Sequence, residues 1–205
     1  MANRIAAEVA AAICCCTLII VCPGCKKQHK PAVDSITMVE RAAVAKAYAR
    51  KHGMNTDYAL FVDYSIPSGT PRLFVWDFRQ GRIIARTYVM HGPGKGSSDE
   101  TPVFSNQVGS MCSSLGKFKV TKSHGYKLKR SFKLKGLEKS NSNAWRRGLM
   151  IHRSTWVDRH CRKQYIPLHT PSCQGCITVS SRGMNYLEKL IKKESAPILL
   201  WAYTS

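Results

Sequence analysis

Between residues 58 and 90 the chain carries three β-favouring runs at short spacing: Tyr58 to Tyr64 (YALFVDY), Arg72 to Phe78 (RLFVWDF) and Arg82 to Met90 (RIIARTYVM). The connections leave no room for a helix. Ser65 to Pro71 holds two prolines and Gly69, and Arg79-Gln80-Gly81 is a tight turn. A β-run that meets a Gly or Pro turn and then another β-run folds back beside itself, so this part reads as an antiparallel meander. Nothing in it calls for the parallel βαβ units of an α/β fold. Lys117 to Lys122 (KFKVTK) alternates basic and apolar residues, and Tyr126 to Leu137 does the same with Leu128, Phe132 and Leu134, as half-exposed strands do. Pro197 to Tyr203 (PILLWAY) reads as a closing buried strand.

Two helices frame these strands. Ser35 is placed to cap a helix over Ile36 to Lys51, with Ile36, Val39, Ala43, Ala47 and Met38, Ala42, Ala45 recurring at helical spacing and Gly53 after its end. Ser181 precedes a second helix, from about Arg182 to Lys193, with Met184, Leu187 and Ile191 on one face. The expected fold is mainly β (α+β): one domain, a sandwich or mixed sheet with an N-terminal and a C-terminal helix packed on it. A length of 205 residues and 44% hydrophobic residues suffice for one proper core.

The net charge of +20 is unusual and points to a polyanionic partner or to a solvated basic surface. The densest cluster, Lys127 to Lys135 (KLKRSFKLK), reads either as a solvated strand face or as a docking strip for an acidic polymer. No RNA-binding signature or zinc-finger spacing accompanies it, so no nucleic-acid partner is expected. Residues 1–25 read as a signal peptide. Ala10 to Val21 is apolar and short for a membrane span, and Pro23-Gly24-Cys25 followed by Lys26-Lys27 ends it. The segment resembles a bacterial lipoprotein signal, with Cys25 as the lipidated residue, although Cys22 and Pro23 depart from the usual lipobox. Residues 26–34 form a linker, and 35–205 form the folded domain. Removing residues 1–24 deletes one Arg and one Glu, so the positive charge belongs to the remainder.

Gly148 to Ser180 carries the candidate chemistry. A short apolar run ends in His152, a long polar connection follows, and Gly175-Cys176 opens the β-favouring run Ile177-Thr178-Val179. An imidazole that takes a thiol proton, beside a cysteine that attacks a carbonyl, makes a nucleophilic acyl-transfer site. Gly175 frees the backbone N–H groups of Gly175 and Cys176 to face an oxyanion. Arg147 and Arg153 suit substrate carboxylates, and His91, Gln174 and Ser172 are further candidates for the substrate wall. The competing readings are a buried structural cysteine and a core histidine. The loop His91 to Ser98 (HGPGKGSS) fails the phosphate-loop pattern, and His160, Cys161, His169 and Cys173 lack zinc spacing, so neither a cofactor nor a metal is expected.

IHRS at 151–154 followed by SCQGCITVS at 172–180 resembles the signature of the murein L,D-transpeptidases of YkuD type. FVDYSIPSGTPRLFVWD (61–77), His91-Gly92, Phe104-Ser105-Asn106, Ser113-Ser114-Leu115-Gly116, Asn143-Ala144 and Arg147 support the match, which covers roughly Tyr58 to Tyr203. The resemblance implies Cys176 as nucleophile, His152 as general base, a thioester with the third residue of a peptidoglycan tetrapeptide, release of D-Ala, and a 3→3 cross-link. Water as acceptor would make the enzyme an L,D-carboxypeptidase, and loss of activity would leave a basic cell-wall-binding lipoprotein. One departure stands out: the histidine usually found two residues before the nucleophile is Gln174, and the preceding serine or threonine is Cys173. A disulfide between Cys173 and Cys176 would silence the site. The implied partners are peptidoglycan stem peptides, and the implied setting is the periplasm of a Gram-negative bacterium, as a membrane-anchored monomer.

Overall fold

The computed structural model describes residues 35–125 and 130–204. The signal-like segment with Cys25, the linker 26–34, Tyr126 and the first part of the basic cluster, Lys127 to Lys129, lie outside the described residues. Helix α1 (Ser35–Lys51) leads into strands β1 (Tyr58–Asp63), β2 (Leu73–Asp77), β3 (Arg82–Thr87), β4 (Val89–Met90), β5 (Gly116–Val120) and β6 (Ser131–Gly136). Strand β7 (Met150–Arg153), helix α2 (Thr155–His160), strand β8 (Ile177–Val179), helix α3 (Ser181–Lys193) and strand β9 (Leu199–Tyr203) follow.

The nine strands of the described residues join one sheet in the order β3-β2-β1-β9-β5-β6-β7-β8-β4. The meander β1-β2-β3 is antiparallel, as its turns require. Two pairs are parallel, β1 with β9 and β7 with β8, which the meander pattern did not announce. Long connections explain both, because a strand that returns after many residues is free to lie either way.

The run Arg82 to Met90, expected as one strand, breaks at Tyr88 into β3 and β4, which lie at opposite ends of the sheet. One residue joins those two ends, so the sheet has to curl until its edges nearly meet. The concave side then encloses the main core, with Leu60, Val62, Leu73, Val75, Phe118, Phe132, Ile151, Ile177 and Leu200 sealed by Met184, Leu187 and Ile191 of α3. On the outer face α1 covers Phe61, Phe74, Trp76 and Leu199 with Met38, Ala42, Ala45 and Ala49. Of the apolar positions expected on α1, Val39, Ala43 and Ala47 are exposed. Strands buried on both faces need no alternation, which is why β1, β2 and β9 read as continuous apolar runs. A cleft of about 400 Å³ remains at the seam, lined among others by Leu73, Ile84, Arg86, Tyr186 and Leu187, and it contains neither Cys176 nor His152.

Arg72, fully buried, ties the two edges together. Its backbone N–H donates to Thr87 at the end of β3, 3.1 Å. Its side chain donates to the carbonyls of Val89 (2.9 Å) and Ile66 (3.0 Å) and to Nδ1 of His91 (3.0 Å). Burial lowers its pKa to about 10, so the guanidinium stays charged at neutral pH. Arg72→Met should fill the space but leave three interior acceptors without a donor. A loss of about 3–5 kcal/mol in urea unfolding is expected; a loss under about 1 kcal/mol would show that the seam closes without it.

Candidate active site

Strands β7 and β8 run parallel, with Ile151 beside Ile177 and His152 beside Thr178. Ile151, Ile177 and Val179 belong to the enclosed core. Side chains alternate along a strand, so His152 and Thr178 face the other way, and Cys176, just before β8, shares their face. Cys176 is 9% exposed and packs with Met90, Val157, Ile166 and Cys173, against Met150 and Trp156. The long connection between the two strands is not wholly irregular: Ser154 caps α2 by accepting from Trp156 N–H. Trp156 is held between His160 and His169, its Nε1–H donating to Pro167, and Nδ1 of His169 meets the Ser172 hydroxyl at 2.7 Å.

Nδ1 of His152 lies 3.0 Å from the carbonyl of Arg153. A carbonyl only accepts, so Nδ1 carries a proton and Nε2 is the basic atom. Nε2 faces the Thr178 hydroxyl at 3.2 Å, and that same hydroxyl lies 3.2 Å from the carbonyl of Ser172. The one hydroxyl proton therefore has two acceptors. It serves Nε2 while His152 is neutral, and it can turn to Ser172 once Nε2 is protonated and becomes a donor. Burial lowers the His152 pKa below its ordinary 6.5, opposed by the Arg153 carbonyl. Burial also pushes the Cys176 thiol up to about 12, and the neighbouring Cys173 adds to this; backbone contacts with Met150 and Gln174, and the charge of Arg147, pull the other way. At rest the thiol and the imidazole are both neutral, and the imidazole's hydrogen bonds go to Arg153 and Thr178.

Gly175 has φ +96, and a Cβ there would lie 2.3 Å from the carbonyl of Cys112 and 2.9 Å from Arg147. Backbone and space both exclude a side chain. The amides of Gly175 and Cys176, expected as oxyanion donors, face the Cys173 sulfur, whose thiol donates to the Cys176 carbonyl at 3.3 Å. Sulfur is a weak acceptor, so an oxyanion can compete for these amides. Cys112, Cys161, Cys173 and Cys176 are all free thiols.

The other expected residues separate. Arg153 and Gln174 are exposed, and Ser172 is half-buried against His169. Arg147 is not open to a substrate carboxylate: Nη1 donates to the Ser105 carbonyl and the Ser114 hydroxyl, both 2.6 Å, and Nη2 to the Cys112 carbonyl, 2.5 Å. It clamps the 105–114 loop under Gly175. His91 is not a wall residue either. It has no exposed surface; Arg72 donates to its Nδ1, and its Nε2–H donates to the Ser98 carbonyl at 2.8 Å. Burial and the adjacent Arg72 lower its pKa to about 4, which keeps it neutral. Thr178 was not legible as a site residue, because a threonine in a β-run is ordinary; only the register beside His152 singles it out.

A cysteine and a histidine on one face of adjacent chain segments mark a candidate thiol acyl-transfer site, and comparison with known proteins gives the family. The sequence model of the L,D-transpeptidase catalytic domain matches residues 30–203, and the chain belongs to that family of cysteine-dependent, peptidoglycan-modifying enzymes. Among solved structures, the chain is similar to the helical cell shape determining protein Pgp2 from Campylobacter jejuni, with 10% identity and a TM-score of 0.43. That similarity covers 73% of this chain and 48% of the other, so the chain spans about half the length of that protein. No curated protein sequence matches the chain.

Thr178→Val should keep the strand and lose the hydroxyl that orients His152. A fall in kcat of about tenfold with little change in KM is expected, the size of one hydrogen bond of about 1–1.5 kcal/mol; an unchanged kcat would remove Thr178 from the site.

Proposed function

We propose that the chain is an exported cysteine L,D-transpeptidase acting on peptidoglycan tetrapeptide stems. The observation that carries this reading is the shared outer face of β7 and β8, with His152 on β7, Nε2 as its basic atom, and Cys176 immediately before β8. Family membership supplies the substrate class.

In this reading Nε2 of His152 takes the Cys176 thiol proton as sulfur attacks the carbonyl of the third stem residue. Nε2 turns from the Thr178 hydroxyl to take the proton, the hydroxyl swings to Ser172, and the imidazolium then donates to it, which is the bond that Thr178→Val removes. The amides of Gly175 and Cys176 leave Cys173 and take the oxyanion. The imidazolium gives its proton to the departing D-Ala amine, and a thioester remains on Cys176. A side-chain amine from a second stem attacks the thioester, His152 takes its proton, and the proton returns to sulfur as the 3→3 amide forms. Arg153 and Gln174, both exposed, serve as contacts for the stem. Residues 1–25 direct export, Cys25 provides a lipid anchor, 26–34 link it to the domain, and the monomer works at the periplasmic face of a membrane.

A second reading, a binding protein without activity, draws support from Gln174 and from a thiol held near 12. Mass spectrometry of the full chain with tetrapeptide muropeptides, beside Cys176→Ala, separates the two. Loss of D-Ala with a new stem-to-stem adduct, absent in the variant, is the expected result. Loss of D-Ala without cross-links would make it a carboxypeptidase, and no turnover with a free Cys176 would favour the binding protein.

The pH profile follows from the resting protonation. The base has to be neutral, and burial lowers the His152 pKa from 6.5, so the acid limb of kcat/KM should have its midpoint below pH 6.5. With the thiol near 12, no rise in rate is expected between about pH 7 and 9. A rising limb there would show that a preformed thiolate makes the attack.

A further inference from the structure

We propose that the outer face of β5 and β6 is a second binding site, which holds the sugar-bearing end of the donor stem: the saccharide ring against Trp145, and carboxylates of the glycopeptide on Lys133, Lys135 and Lys119. The inference rests on the reading above for what Cys176 attacks.

The strand register fixes the place. Lys133 pairs with Met150 across β6 and β7, and Lys119 pairs with Lys135 across β5 and β6. Directly opposed residues share a face. Phe118, Phe132 and Leu134 point into the enclosed core, so the lysines face outward, on the side that carries Met150, His152 and Cys176. The Cys176 thiol meets the backbone of Met150, so Cys176, Met150 and Lys133 form one row across three strands. Neighbouring strands are about 4.8 Å apart, which puts Lys133 roughly 10 Å from the nucleophile.

The charge on this face lacks its complement. Like charges directly opposed across two strands destabilise the pair, and here Lys119 opposes Lys135 with Lys133 two positions along. From Thr101 to Val157 the sequence has a single acidic residue, Glu138. Glu138 bonds Lys117 at 2.8 Å, and Lys117 packs on Trp201 at 4.1 Å beside α1. Among the described residues none of Lys119, Lys133 and Lys135 has a carboxylate partner. Beside them Trp145 is 44% exposed, with the Lys133 ammonium 3.8 Å from its ring centre. An exposed indole flanked by a cation takes a ligand with an apolar ring face and nearby negative charge.

Length chooses the ligand. A stem peptide hangs from its sugar by the N-terminus, so the attacked carbonyl of the third residue is three residues from the sugar. At about 3.3 Å per extended residue this is roughly 10 Å, matching the two strand spacings from Cys176 to Lys133, whose ammonium lies over the Trp145 ring. A single-stranded nucleic acid would want successive stacking aromatics along its track, and Trp145 is the one large aromatic exposed on this face among the described residues.

The test is equilibrium binding by calorimetry, using the full chain with Cys176→Ala to prevent turnover and two probes: a disaccharide-tetrapeptide and the same tetrapeptide without sugars. The disaccharide form should bind about tenfold tighter, a factor of about 1.4 kcal/mol for one aromatic contact. Trp145→Ala in that background should bring the ratio near one, and Trp145→Phe should keep most of it. Replacing Lys119, Lys133 and Lys135 together by Gln should weaken both probes and flatten the dependence on salt. A ratio near one in the parent, a ratio that survives Trp145→Ala, or no binding of either probe would overturn the proposal. So would a single-stranded oligonucleotide that binds tighter than the glycopeptide and is lost with the lysines. D-Ala release by the unaltered protein is scored separately. Release without the binding ratio removes this site and keeps the enzyme; the ratio without release keeps the site and removes the enzyme.

Discussion

A buried guanidinium at the seam of the sheet governs much of what surrounds it. Arg72 meets the end of β3 through its backbone and the start of β4 through its side chain. A cation inside a protein is tolerated only where its donors are satisfied, and here the Val89 carbonyl on the edge strand β4 satisfies one of them, with Ile66 and His91 taking the others. The bond to His91 extends the effect. Because Arg72 donates to Nδ1, Nε2 carries the proton and secures Ser98, which fixes the 91–98 loop. Gly92 of that loop lies against Gly175, where an added Cβ would come within 2.8 Å of the Gly175 Cα. Sheet closure and the backbone next to Cys176 are thus parts of one packed assembly.

The site is built to keep charge out until it is needed. A thiol pushed up to about 12 and a histidine held below 6.5 are both neutral at rest. A stored thiolate–imidazolium pair would need water or nearby countercharge to stabilise it, and burial removes the water. Arg147 supplies some positive field, but its donors are committed to the 105–114 loop. In the proposed reaction the proton therefore moves as the substrate bond forms. Thr178 suits this, because a hydroxyl that can donate to Nε2 or accept from it fits both protonation states of His152.

The sheet divides its work by face. The concave side is dry core sealed by α3, and the outer side is covered by α1 over β1, β2 and β9. Further along the outer side β5 and β6 carry outward lysines, Lys135 exposed and Lys119 and Lys133 half-buried, and beyond them lie β7, β8 and the candidate nucleophile. The alternation of KFKV and FKLK is therefore more than a mark of strand structure. It sets a basic surface on the same side as Cys176, in register with it.

Periodicity and turn chemistry were enough to place most strands and both long helices, since apolar spacing and Gly or Pro punctuation act within a few residues. The motif around Cys176 and His152 was legible too, because a glycine before a cysteine and a histidine closing a β-run are local patterns. What the sequence could not show depended on partners far apart along the chain. The run Arg82 to Met90 breaks at Tyr88 only because its two ends pair with opposite edges of the sheet. Arg147 and His91 looked like substrate contacts because exposed and buried polar residues are written alike; the fold gave their hydrogen bonds to loops instead. Thr178 gained its place from the register of β8 on β7. The sequence alone determined which residues could do chemistry and which segments would be strands. The tertiary structure decided which polar groups were left free to act, because burial and long-range pairing choose each group's partner.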